Sequence, residues 1–80
     1  SVMRSITLPK DVRTFQRVGA KSIALYQTED WVEAGTKLVV SDPMLMHYDH
    51  GPQQAVSFKD DDGKEHFLIV KELGIDGFVQ

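Results

Sequence analysis

Eighty residues make one domain. There is no cysteine, which excludes a disulfide framework and a zinc site built on thiolates. Twelve acidic against nine basic residues give a net charge of −3, the opposite of the basic excess that phosphate binding favours in a dedicated nucleic-acid protein.

With 41% hydrophobic and 26% charged residues the chain has the composition of a globule and not of a disordered segment. A domain this short buries roughly 60% of the surface its unfolded form exposes, so its stability margin is thin. The longest apolar runs are four residues, against roughly 20 for a membrane span. The first residues lack the apolar core of a signal peptide. A cytoplasmic location is the expectation.

Ser5-Ile6-Thr7-Leu8 alternates polar and apolar and predicts a short strand. Pro9 suits the first position of a helix, and Val12, Phe15 and Val18 fall three apart as on one helical stripe. Asp11 near the start, Arg17 near the end and Gly19 beyond it complement a helix over residues 9–18. Ser22-Ile23-Ala24-Leu25-Tyr26 reads as a strand and residues 27–35 as a polar connection, with Trp31 partly in the core. Lys37-Leu38-Val39-Val40-Ser41 is a β-rich strand stopped by Asp42-Pro43. Residues 44–52 read as a long loop. The segments 54–59 and 66–71 flank an Asp-Gly turn and predict a hairpin. The tail, residues 72–80, places Leu73, Ile75, Phe78 and Val79 between polar residues. It reads as a terminal turn, an edge strand or a docking arm.

The sum is a mainly β, α+β domain: a small, partly open five-stranded β-barrel or SH3-like sheet with one short N-terminal helix, spanning residues 1–80. Glu33-Ala34-Gly35-Thr36-Lys37-Leu38-Val39-Val40 resembles the opening of an SH3-like barrel. Val56-Ser57-Phe58, Asp62-Gly63-Lys64 and Phe67-Leu68-Ile69-Val70 resemble its central hairpin. The order from Ile6 to Val40 is similar to the ASCH branch of the PUA-like superfamily: strand, helix, Gly19-Ala20-Lys21-Ser22, strand, then Gly35 entering a strand. That resemblance implies association with RNA and, in some members, hydrolysis of acetylated cytidine by a Lys, a Thr and a later Glu. Lys21 matches the Lys. Ala24 stands at the Thr position, Tyr26 stands where an Arg often follows, and the portion that supplies the Glu is reduced. Two of the three parts of that site are therefore missing.

His47-Tyr48-Asp49-His50, with His66 as a third histidine, is the one cluster of metal-like composition. It resembles part of the metallo-β-lactamase motif, but Leu45 stands where a further His is needed. The bland reading is a solvent-facing loop, and no metal or cofactor is assigned. In Asp60-Asp61-Asp62-Gly63 the calcium-loop pattern fails, because Lys71 occupies the twelfth position where a Glu is required. Asp11, Glu29, Glu33 and Glu65 have no partner at a defined spacing for acid–base work. There is no nucleophile elbow and no phosphate loop.

The leading expectation is a non-enzymatic module that binds another protein, as a regulator or inhibitor, through Met44, Leu45, Met46, Tyr48 and Phe78. A Met-rich surface adapts to partners. Self-association is one version of it. The second is RNA or single-stranded nucleic-acid binding through Arg4, Lys10, Arg13, Arg17 and Lys21, with Tyr26 stacking. The third is a reduced PUA-like amidohydrolase using Lys21.

Overall fold

Phe67, Leu68 and Ile69 are consecutive and all buried. In a strand successive side chains point to opposite faces, so this segment must be covered on both sides. The computed structural model describes residues 3–78. In chain order its strands are β1 Arg4–Thr7, β2 Val12–Arg17, β3 Leu25–Val32, β4 Lys37–Val40, β5 Met44–Tyr48, β6 Gly51–Lys59 and β7 Glu65–Ile69, and a 3-10 turn Val70–Glu72 follows. β7 lies at the centre of an antiparallel five-stranded sheet of order β3-β2-β7-β6-β5, while β1 and β4 form a separate two-stranded sheet. The domain is mainly β as expected, and among the described residues its strands form two sheets and no closed barrel.

The alternation of β6 and β7 generates two cores. Val56 and Leu68 face Ile6, Leu8, Val12, Val40, Val70, Leu73 and Phe78, and this core is covered by β1, β4 and the C-terminal turn. Ala55, Phe67 and Ile69 face the other way, onto Phe15, Leu25 and Met46. On that side the large sheet curls over itself. Its two outer strands approach at a single parallel bridge between Ala24 and His47, where the His47 N–H donates to the Ile23 carbonyl at 2.8 Å.

The helix expected over residues 9–18 is absent, and β2 occupies its place. The spacing that suggested a helix has another meaning here. Three is odd, so in a strand Val12 and Phe15 point to opposite faces, and each enters a different core. Val18 passes the end of the sheet and is exposed. β-branched Val12 and Thr14 favour this outcome, and pairing with β3 and β7 secures it.

The polar connection expected over residues 27–35 is mostly strand, since β3 runs to Val32. Between Arg13 and Phe15 its register slips: Arg13 pairs with Trp31 and Phe15 with Gln27, leaving Thr28, Glu29 and Asp30 opposite Thr14. The loop expected over residues 44–52 is a hairpin. β5 and β6 pair from Met44–Ala55 to Tyr48–Gly51. Asp49 and His50 make the turn with φ of 53° and 74°, the two positive values of a type I′ turn. Pro52 has no N–H to place in a ladder, and it sits where β6 extends past the last β7 pair, Ala55–Ile69. The tail is a turn that plugs the first core with Leu73 and Phe78; Val79 lies outside the described residues.

The hairpin expected around the Asp-Gly step is β6–β7, paired from Ala55–Ile69 to Lys59–Glu65. Asp60 organises its tip. Its Oδ1 accepts from the N–H groups of Asp62 and Lys64, both at 2.9 Å, and its Oδ2 accepts from His66 Nε2 at 2.8 Å. The His66 ring stacks on Phe58 at 5.2 Å. Gly63, at φ 80°, takes the left-handed position of the turn.

Phe67→Ala removes a ring from the second core, and we expect a loss of about 3–5 kcal/mol in urea denaturation, enough to unfold much of the population. The hydrogen bond from His66, then those from the backbone, hold the Asp60 carboxyl below its ordinary value of 3.8. A lowered folded pKa adds stability above the unfolded value and loses it as pH falls through the folded one. The stability difference between the native chain and Asp60→Asn should therefore shrink in acid, over the window from about pH 5 downward. Paired urea titrations at neutral and acid pH measure it.

Candidate binding surfaces

The cover over the first core stops short of β5. Met44 and Met46 turn toward the second core, so Leu45 between them faces the other side. Leu45 pairs with Gln54, and His47 with Pro52. Across from them the chain leaves β7 at Val70 and turns through Gly74 to Phe78. A groove of about 580 Å³ lies between, with Leu45 and Pro52 on one bank and Val70, Ile75 and Phe78 on the other; Lys71 and Asp76 add charge of both signs. Leu45 is 56% exposed.

The five residues expected to bind protein are divided by the fold. Leu45 and Phe78 meet at this groove. Phe78, at 4% exposure, is a core residue and lies beneath the Arg4 guanidinium at 4.5 Å. Met46 is 2% exposed. Met44 is half-buried and packs with it. Tyr48 sets its ring edge against Phe15 at 4.7 Å and donates its hydroxyl to Gln27 Oε1 at 3.0 Å. The expected Met-rich surface is thus corrected: β-strand alternation turns both methionines inward.

The fold spreads the basic residues over β1, β2 and the turns beside them. Arg4 stands 4.0 Å from Asp42. Arg17 donates to Glu65 at 2.8 and 3.5 Å and to the Ser22 carbonyl at 2.6 Å, with its guanidinium 4.9 Å from the Phe67 ring. Tyr26 is exposed and donates to Gln16 Oε1 at 2.9 Å. Lys21 is exposed on the β2–β3 turn with φ 63°. The segment before it, expected as a helix, is strand β2. Lys10 and Arg13 do come together, beside Trp31.

Trp31 is the largest departure from the sequence expectation. It is 55% exposed and not core, and it pairs with Arg13 just beyond the register slip. The Arg13 guanidinium covers its ring at 4.2 Å and donates Nη1 to the Thr28 carbonyl at 2.7 Å. A cleft of about 320 Å³ opens there, lined by Lys10, Asp11, Arg13, Gln27, Trp31 and Glu72. The available signal was Gln27-Thr28-Glu29-Asp30-Trp31, four polar residues leading to one indole, which is not how a core segment reads.

His47 and His50 border one pocket with Tyr48 and Asp49, and His66 is not in its lining. His66 is held by Asp60. His50 stands 3.7 Å from Asp49, both well exposed. Among the described residues no three potential ligands converge on a metal-sized space. Asp11 accepts from the Ala34 N–H at 2.8 Å and closes a turn. Among the described residues no helix is long and apolar enough to cross a membrane. No protein-family model, curated protein or solved structure matches the chain.

Met46→Ala leaves a cavity beside Phe15, and the expected cost is about 2–5 kcal/mol. Leu45→Ala, on the same strand but facing the groove, should stay within about 0.5 kcal/mol. Thermal unfolding of the two variants separates core from surface on β5.

Proposed function

We propose that this chain is a non-enzymatic binding module that regulates or inhibits another protein by occupying part of its surface. Its contact region is the Leu45 groove, and the occupant is an extended segment of the partner with an apolar anchor. One observation carries the reading: Leu45 stands more than half exposed on the bank of a concavity whose other bank is made of core residues Val70 and Phe78. An apolar side chain placed there meets a surface already fixed by folding, so little ordering is needed on this side of the interface. Burying one Leu-sized group contributes roughly 1.5–3 kcal/mol. The Gln53 and Gln54 amides and Lys71 at the rim supply hydrogen bonds to a partner backbone, the usual division between apolar centre and polar rim. The groove falls within the size range, roughly 300–1,000 Å³, of sites that hold a ligand.

Leu45→Asp is expected to fold, because residue 45 is exposed. It should weaken partner capture by about tenfold or more, equivalent to about 1.4 kcal/mol. The measurement is affinity capture with tagged native chain and Leu45→Asp, each with and without nuclease. A protein retained by the native chain through nuclease and released by the variant supports the groove. Equal retention by both chains overturns it.

A further inference from the structure

We infer that the Trp31 cleft is a second binding site, which takes a nucleobase together with its adjoining phosphate. It is independent of the Leu45 groove, and no residue lines both.

Three features point to this ligand. The indole of Trp31 is more than half exposed, and its plane is held by the Arg13 guanidinium at 4.2 Å. An aromatic ring fixed at the mouth of a curled sheet is a platform on which any base can stack. Second, Arg13 has unused capacity. Nη1 is engaged by the Thr28 carbonyl and Nε is buried out of a ligand's reach, which leaves Nη2 as the terminal nitrogen to offer. An Arg fork suits a phosphate oxygen. Lys10, exposed on the same cleft, adds a second positive charge. Third, Gln27 lines the cleft with its Oε1 already accepting from Tyr48. Its amide nitrogen is thereby turned into the donor that remains for a base edge.

The charges set the character of the site. Lys10 and Arg13 are balanced by Asp11 and Glu72 in the lining, and Glu29 and Asp30 precede Trp31 on β3. A polyanion is not drawn from a distance. Stacking leads, and a single phosphate is held at short range. The salt dependence is therefore shallow. For one phosphate on a single strand, log K falls against log salt with a slope of about −0.7. A broad basic face using all of Arg4, Lys10, Arg13, Arg17 and Lys21 would give a slope several times steeper.

Trp31 is the only tryptophan in the chain, so its fluorescence reports on this cleft alone. The full chain is titrated with adenosine monophosphate, with adenosine and with an eight-nucleotide single-stranded oligoadenylate, each corrected against free tryptophan amide. The expected result is saturable quenching by adenosine monophosphate or the oligonucleotide, at least about threefold tighter than by adenosine. Lys10→Ala, at an exposed position that leaves the fold intact, should weaken it by about threefold, whereas Leu45→Asp should leave it unchanged. Equal quenching by the mononucleotide and the oligonucleotide identifies a free nucleotide as the ligand; quenching by the oligonucleotide alone identifies a single strand. No saturable quenching by any of the three, or adenosine matching both phosphorylated probes, overturns the proposal.

Discussion

The two-sided burial of β7 is the constraint from which the rest of this domain follows. Antiparallel sheets commonly keep one face solvated, but Phe67-Leu68-Ile69 allows neither face to be wet. With 80 residues the chain has no second full-sized sheet to lay on each side. It solves the two faces differently. One is covered by the β1–β4 ribbon and the C-terminal turn; the other is covered by the sheet itself, curled until Ala24 meets His47. Each solution ends imperfectly. The ribbon is too short to reach β5, which leaves the groove beside Leu45. The curl leaves a mouth at the start of β2, which becomes the cleft beside Trp31.

The register slip on β3 shows how a local rearrangement is stabilised without apolar filling. Thr14 is buried, and its hydroxyl needs a partner there. Three residues of β3 opposite this one position bring Thr28 within reach. The two hydroxyls hydrogen-bond each other, Thr28 Oγ1 donates to the Thr14 carbonyl at 3.1 Å, and the Asp30 N–H donates to Thr28 Oγ1 at 3.0 Å. The slip thus satisfies its own polar groups and re-aims the strand beyond it, a common consequence of bulges. Arg13 is locked to the same Thr28 carbonyl region, so the cation and the indole it covers are both positioned by one irregularity.

The strands with strong local grammar were legible. The β6–β7 hairpin has β-rich flanks and an Asp-Gly step, and β4 has consecutive β-branched residues. What was hidden depended on context outside the local window. Val12, Phe15 and Val18 fit one helical stripe or a strand facing two cores, and only the presence of two cores decides between them. The type I′ turn was hidden because Asp49 and His50 stand where Asn-Gly would announce it. Leu45 and Phe78, both binding candidates by sequence, line the groove, whereas strand alternation turns Met44 and Met46, loop residues by sequence, toward the second core. A small domain's need for bulk argues for Trp31 partly in the core. Phe15 and Phe67 already supply that bulk.

Exposed apolar side chains by themselves mean little in a domain this small. Met3, Val18, Ile23 and Val39 are all exposed too, and scattered apolar residues are normal on any surface. Concavity is what separates Leu45 and Trp31 from these. The other four line neither the groove nor the cleft, so a partner atom laid on them still keeps water on most sides. Leu45 and Trp31 border spaces where a ligand is contacted from two banks, and dispersion contacts rise accordingly. The same surface is defended where it would otherwise add strands. The outer strand β3 is interrupted by its register slip and carries Glu29 and Asp30, and Pro52 withholds a donor where β6 runs past β7. These are the devices by which sheet edges avoid indiscriminate pairing. Association is thereby steered away from backbone edges and toward side-chain sites, which can be selective.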